Sequence, residues 1–242
     1  MKIEVKNVTK KYKEKYALEN VSFTLDGRNG AGKTTFMNIL SGQILASSGQ
    51  ITIDGQDPFD NQKLTEKICL IKEGQNFQKD LKVKNVLKIY SYFYPNWDQE
   101  LADRLIEEYH LSPKMKVKSL SKGMESALGI IVGLASKAEI TIFDEPYIGL
   151  DAPARKKFYE ILLEEYQKEK RMIIFSTHLI DEVSLLFEEV LILSEGKLVL
   201  KENTDSLRHK AYAVTGKEME VESFIKGKQV IQKRKFTGMM TS

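Results

Sequence analysis

The segment Gly27-Arg28-Asn29-Gly30-Ala31-Gly32-Lys33-Thr34 constrains this 242-residue chain more than any other stretch. It fits the pattern GxxxxGK[ST], and an apolar helical pattern, Phe36, Ile39 and Leu40, follows it. Three glycines let the backbone curl so that successive N–H groups point at phosphate oxygens. A helix opening near Lys33 aims its N-terminal N–H groups and its dipole at the same anion. Lys33 adds a point charge toward the β- and γ-phosphates, and the Thr34 hydroxyl is placed to ligate Mg²⁺. The bland alternative is a glycine-rich turn at a helix start. The Lys-Thr ending and the helical pattern behind it argue against that. The motif points to a nucleotide without saying which kind of NTPase uses it.

The rest of the chain alternates strands and helices. Ile3 and Val5 alternate with charged residues, and Val21, Phe23 and Leu25 alternate with Ser22 and Thr24, so residues 1–25 read as strands with one wet face. Ile51 and Ile53 suggest another strand, and Ile68–Ile71 a short one. Residues 80–135 read as helical, with Asp98 as a cap, and Pro95 separating two helices. Apolar runs at 140–143, 172–175 and 190–193, with a helix over 155–168, predict a parallel α/β core. The fold class expected is α/β: a mostly parallel sheet flanked by helices, an N-terminal antiparallel β subdomain and an inserted helical subdomain at about 80–135. Residues 1–200 form one nucleotide-binding domain in this reading, and 201–242 a partly ordered extension. The run Ile140-Thr141-Ile142-Phe143 delivers Asp144 and Glu145 to a strand's C-terminal end, where open α/β sheets bind ligands. Asp144 is placed to hold Mg²⁺ and Glu145 to polarise an attacking water; a plain acidic turn is the bland reading.

Charge and cysteine content exclude other classes. Lys plus Arg is 37 against 34 Asp plus Glu, a net +3, which does not suggest a protein built on phosphate-backbone neutralisation. The one cysteine, Cys69, allows neither an internal disulfide nor a cysteine zinc cluster, and its apolar neighbours predict a buried small hydrophobe. The most apolar stretch, Leu128 to Ala135, is far below the roughly 18–20 residues of a spanning helix. The start, Met1-Lys2-Ile3-Glu4, is not read as a signal peptide. A cytoplasmic protein is expected, with any membrane role supplied by a partner.

Leu120-Ser121-Lys122-Gly123-Met124 precedes a helical stretch, with Ser121 a good N-cap and a second anion-binding helix terminus. At this point the chain resembles the ATP-binding subunit of an ABC transporter. The GxxxxGK[ST] segment, a counterpart of the family's LSGGQ signature at Leu120–Met124, and Asp144-Glu145 come in the family's order. Ile148-Gly149-Leu150-Asp151 resembles its D-loop, and Ser176-Thr177-His178 follows a strand as its switch histidine does. Tyr12 precedes Ala17-Leu18, where the family stacks an aromatic on adenine, although an ordinary surface tyrosine remains an alternative. The resemblance covers about residues 1–200.

The resemblance implies an ATPase that uses ATP and Mg²⁺ and pairs head to tail with a second ATPase subunit, either a copy or a related chain. Gly27, Arg28, Asn29, Gly30, Ala31, Gly32, Lys33, Thr34, Thr35 and Tyr12 would bind ATP; Ser121, Lys122 and Gly123 would cover the partner's ATP in trans. Thr34, Asp144 and Glu73 would serve the metal, and Glu145 and His178 the chemistry. The protein would sit at the cytoplasmic face of the membrane and drive membrane permease subunits, in the export direction to judge by the short LSKGM-type signature. No nucleic-acid partner is expected. A non-transport ABC ATPase acting on nucleic acid or ribosomes is the alternative, disfavoured because Lys33 and Ser121 are only 88 positions apart, with no sustained heptads. A small GTPase is disfavoured by the lack of an NKxD segment. Tyr90, Tyr92, Phe93, Tyr94 and Trp97 read either as subdomain core or as a groove for a permease helix. The basic stretch Lys226 to Lys235 reads as a solvated face.

The family pattern is broken in places. Lys122 stands for the usual glycine, Met124 for glutamine and Ile148 for serine. The Q-loop glutamine position falls on Glu73, with Gln75 close by. One departure concerns the backbone. The family feeds its phosphate loop from an apolar strand that follows an alternating one, whereas here the alternating strand Val21–Asp26 runs straight into Gly27. About eight residues, one short strand, are missing by that comparison. A segment absent from the numbered chain, with the count closed over the gap, is the favoured explanation over a true deletion.

Overall fold

The computed structural model describes residues 1–26, 34–74, 76–183, 186–204, 206, 215–225, 234–236 and 239–241. Gly27, Arg28, Asn29, Gly30, Ala31, Gly32 and Lys33, with Gln75, lie outside the described residues, as does the Asp26–Gly27 junction. The chain divides into two compact units, Met1–Glu202 and Asn203–Ser242.

The first unit opens with β1 (Lys2–Tyr12) and β2 (Lys15–Asp26), an antiparallel pair in register from Lys2↔Asp26 to Tyr12↔Lys15. Helix α1 (Thr34–Leu40) follows, then β3 (Ser48–Ile53), which pairs with the other edge of β1. Alternation did its work here: Ile3, Val5, Val8, Ile51 and Ile53 are buried while Lys2 and Lys6 are exposed. After α2 (Gln62–Thr65) come β4 (Ile68–Ile71), α3 (Val83–Phe93), α4 (Gln99–Glu108), α5 (Lys122–Ala135) and β5 (Ile140–Asp144). Then follow α6 (Ala152–Lys168), β6 (Met172–Ser176), α7 (Ile180–Val183) and the hairpin β7 (Glu189–Ser194) and β8 (Lys197–Asn203). Strands β4, β5 and β6 form a parallel sheet in that order. This is a mixed α/β fold with a parallel sheet, an antiparallel sheet and a helical subdomain. In the second unit, β9 (Thr215–Lys217), helix α8 (Glu218–Ile225), β10 (Arg234–Phe236) and β11 (Met239–Thr241) build a small antiparallel sheet of order β10-β11-β9. Most of the basic stretch 226–235 lies outside the described residues.

All five residues of β5 and all five of β6 are buried, as strands covered on both faces must be. Ile140, Ile142, Met172 and Ile174 pack with Phe36, Met37 and Leu40 of α1 and with the antiparallel sheet. Phe143, Ile173 and Phe175 point the other way, into a core with α5 and α6. Helix α5 is buried at every residue from Ala127 to Ala135 and is capped by Ser121, whose hydroxyl accepts from Met124 N at 3.2 Å. Its far end is tied by the buried Arg171, which donates to Leu134 O at 3.1 Å, Ala138 O at 3.2 Å and Thr141 Oγ1 at 2.8 Å. A cation there meets the negative end of the helix dipole and satisfies carbonyls that lack a helical partner. Helix α6 begins three residues before the expected start. Asp151 caps it through Ala154 N at 2.9 Å, and Pro153 is tolerated in the first turn, where its missing N–H is no loss.

One further expectation changes. The aromatic cluster divides: Tyr90, Tyr94 and Trp97 pack against the core, while Tyr92 and Phe93 are 77% and 66% exposed. The Asp26–Gly27 junction, on which the expected absent segment turns, lies outside the described residues.

Helix α5 approaches the sheet through glycine. A Cβ on Gly133 would lie 2.5 Å from the Phe143 ring and 3.1 Å from Ile71 Cγ1. Alanine gains up to about 1 kcal/mol in helix propensity, but overpacking of this kind costs about 1–3 kcal/mol. Gly133→Ala is therefore expected to lower the urea-unfolding free energy; a midpoint at or above that of the parent would refute this close approach.

Candidate functional site

The C-terminal ends of the parallel strands carry the chemistry-bearing residues. Asp144 and Ser176 are partners in the β5–β6 register. The buried Ser176 hydroxyl donates to Asp144 Oδ1 at 2.6 Å and accepts from Glu145 N at 3.0 Å. That one hydroxyl fixes the Asp144 carboxylate and the turn that follows it. Glu145 then adopts φ of 51°, a left-handed conformation that costs a non-glycine residue on the order of 1–2 kcal/mol. The turn brings the Glu145 side chain across to β6, where its Oε2 lies 2.7 Å from His178 Nδ1. Tyr147 OH donates to the same Oε2 at 2.7 Å.

Beside this cluster, two glycines let the start of α5 meet the turn after Tyr147. A Cβ on Gly123 would lie 2.5 Å from Gly149 O, and Gly149, at φ of 93°, would place one 3.0 Å from Gly123 N. Ser126 Oγ donates to Ile148 O at 2.6 Å across the same seam. Lys122, the first residue of α5, reaches Glu73 beyond β4, with Nζ 2.9 Å from Oε1. Both are largely exposed, so the pair contributes under about 1 kcal/mol.

Thr34 and Thr35 are the first two residues of α1. Tyr12 ends β1, 51% exposed, with Lys10 Nζ 5.2 Å from its ring centre. Residues Gly27 to Lys33 lie outside the described residues. The Asp144 and Glu73 carboxylates and the Thr34 hydroxyl are each hard oxygen donors of the type a divalent cation takes. Among the described residues no three His, Cys, Asp or Glu side chains converge as a metal cage. That is compatible with Mg²⁺, which takes one or two carboxylates plus substrate phosphates.

The chain matches the family described as ABC transporter over residues 19–148. It belongs to that family. The match spans β2, α1, the parallel strands β4 and β5 and the turn through Ile148, and so holds every element that carries the acidic pair. Among curated relatives, the lantibiotic transport ATP-binding protein SrtF of Streptococcus pyogenes is 30% identical over 194 residues, covering 76% of this chain and 83% of that protein. The ABC transporter ATP-binding protein YtrB of Bacillus subtilis (strain 168) is 26% identical over 189 residues, 75% of this chain. The chain spans 65% of YtrB's length. A solved ATP-binding subunit of an ABC transporter superposes with a TM-score of 0.73 at 24% identity, over 87% of this chain and 93% of that one. At that identity the likeness speaks for the fold. No helix among the described residues is long and apolar enough to cross a membrane.

Of the residues singled out from the sequence, Asp144, Glu145 and His178 are brought together, and Ser121, Lys122 and Gly123 form the start of α5 beside Gly149. Glu73 is tied to Lys122. Tyr147 and Arg171 are contributors that no sequence pattern reveals, and Ser176, noted only as the residue that leads to His178, proves to anchor Asp144. Tyr147 has no spacing signal, and its orientation comes from stacking on Phe175, ring centres 5.9 Å apart.

Proposed function

We propose that this chain binds and hydrolyses ATP with Mg²⁺ and that hydrolysis drives substrate movement, in the export direction, through a separate membrane permease. The observation that carries the reading is Glu145 Oε2 held 2.7 Å from His178 Nδ1, beside the buried and anchored Asp144. A carboxylate oriented by an imidazole at the C-terminal end of a parallel strand is equipped to take a proton from water. In this reading Tyr12 stacks on adenine, and Gly27, Arg28, Asn29, Gly30, Ala31, Gly32, Lys33, Thr34 and Thr35 cradle the phosphates. Thr34, Asp144 and Glu73 hold Mg²⁺, which neutralises charge on the phosphate oxygens when bound. Glu145 polarises water, and His178 keeps its carboxylate aimed.

The working unit in this proposal is a head-to-tail pair with a second ATPase subunit, a copy or a related chain. Ser121, Lys122 and Gly123 of each subunit close over the ATP of the other. The helix start at Ser121 offers free N–H groups to an anion. Residues 1–200 act as the ATPase domain and 201–242 as an extension. The permease contacts Gln75–Leu81 and Tyr90–Trp97 at the cytoplasmic face of the membrane; the exposed Tyr92 and Phe93 support that assignment. The name of SrtF, a lantibiotic transport ATP-binding protein, supports a role in transport. Action on nucleic acid or ribosomes has no observation in its favour.

Glu145→Gln is expected to retain ATP binding while steady-state hydrolysis falls by about 10²–10⁴-fold, the usual worth of a general base. Phosphate release measured at parental rates would remove Glu145 from the mechanism.

Ser121→Arg should leave nucleotide binding to the isolated chain intact and abolish ATP-dependent pairing in sedimentation velocity, because a bulky cation fills the γ-phosphate position. Pairing that persists, with hydrolysis, means that the sites are not shared.

Photocrosslinkers at Tyr92 and Phe93 are expected to capture the copurified permease. Crosslinks confined to positions after residue 200 would contradict the assigned docking face.

A further inference from the structure

We infer that Tyr147 is a positioning residue for hydrolysis: its buried hydroxyl clamps the Glu145 carboxylate and the His178 main chain into one rigid unit. The inference rests on Glu145 acting as the base, as proposed above. Tyr147 is 3% exposed, and five contacts converge on its oxygen or its ring: Glu145 Oε2 at 2.7 Å, Thr177 Oγ1 at 2.9 Å, His178 N at 3.2 Å, His178 Nδ1 at 3.2 Å and the Phe175 ring at 5.9 Å between centres.

The donors and acceptors balance in only one way. A phenol has one proton to give and two lone pairs to fill. A carboxylate accepts and does not donate, so the Tyr147 proton goes to Glu145. The His178 N–H donates into one lone pair. The Thr177 oxygen already accepts from Leu179 N at 2.8 Å, and its own proton fills the other lone pair. Nothing remains on Tyr147 for His178 Nδ1. That nitrogen therefore carries a proton and gives it to Glu145 Oε2 at 2.7 Å. Two donors, Tyr147 OH and His178 Nδ1–H, thus converge on a single oxygen of Glu145. Burial, as the largest cause, raises the Tyr147 pKa and so keeps the phenol protonated as a donor.

The clamp matters because Glu145 sits in a left-handed backbone conformation that its own residue type does not favour. Its carboxylate needs an external hold to stay aimed, and a positioned group loses rate quickly when its geometry loosens. Without the phenol, Oε2 loses one donor, and the His178 N–H and the Thr177 hydroxyl lose an acceptor in a part-buried place.

The test is Tyr147→Phe in the full chain, read three ways. Expected is a fall in kcat of about tenfold, the worth of one well-placed hydrogen bond, with KM for ATP within about twofold of the parent. The second reading, taken without nucleotide, is the ¹⁵N spectrum of the His178 ring above neutral pH, assigned with His178→Ala. The parent should show the Nδ1–H tautomer, and Tyr147→Phe should shift population toward Nε2–H, which free imidazole prefers. The third is Thr177→Val, which removes one supporting donor and should move kcat and the tautomer the same way by a smaller amount; it carries the test if Tyr147→Phe does not fold. Unchanged kcat and tautomer in these variants overturn the inference. So does a loss of kcat with the tautomer unmoved, which marks a packing role alone. A parental rate in Glu145→Gln instead defeats the base assignment, so the two failures are told apart.

Discussion

The register of β5 against β6 decides what this molecule can do. Asp144 pairs with Ser176, and the Ser176 hydroxyl both holds Asp144 Oδ1 and receives the Glu145 N–H. A slip of one residue would turn every side chain of the strand to the other face. It would send Phe143 into the α1 side of the core and separate Glu145 from His178. The apolar filling on both faces, Ile140 and Ile142 one way and Phe143 with Phe175 the other, makes such a slip prohibitive. The site's geometry is therefore secured by hydrophobic packing. The polar bonds refine it.

Patterns that depend on local chemistry were legible in the sequence. Alternation placed β1, β2 and β3, continuous apolar runs placed β4, β5 and β6, and Asp98 and Ser121 cap the helices that they precede. Asp144 and Glu145 were found because an apolar strand delivers them to its C-terminal end, and His178 because its place after a strand resembles the family's switch histidine. What stayed hidden depends on long-range placement. Tyr147 lies in a turn and acquires its role from Phe175, Thr177 and His178, some thirty positions away. Arg171 reads as a surface charge before a strand, yet its guanidinium closes the end of α5. The split of the aromatic segment depends on where the helix stops: Tyr92 lies across α3 from Tyr90, and Tyr94 follows the helix in extended backbone, from which its hydroxyl reaches Ile68 O at 3.2 Å.

Two residues that depart from the family's pattern meet each other. Lys122 takes a glycine's place and Glu73 a glutamine's, and the two form an ion pair at 2.9 Å. A lysine at the first position of a helix faces the positive end of the dipole, which is unfavourable by a few tenths of a kcal/mol. A carboxylate beside it offsets that. Each change alone would leave an unbalanced charge next to the nucleotide motifs; together they are nearly neutral in net charge. The departures are thus one change at the level of electrostatics, although 49 positions separate them.

The chain is held by packing on either side of residues 27–33. Strand β2 remains paired with β1 up to Asp26↔Lys2, so the antiparallel sheet holds the chain until the glycine-rich segment begins. Helix α1 starts at Thr34 and packs Phe36, Met37 and Leu40 against Ile140, Ile142, Met172 and Ile174. Seven residues, 27–33, must therefore join the antiparallel sheet to the parallel one. Fully extended, seven residues span at most about 25 Å, and a loop curled around a phosphate spans much less. Among the described residues β6 pairs only with β5, so the parallel sheet has three strands with a buried strand at its margin. The two ends between which residues 27–33 run are thus fixed separately, Asp26 by its pairing with Lys2 and Thr34 by the packing of α1 against the parallel sheet.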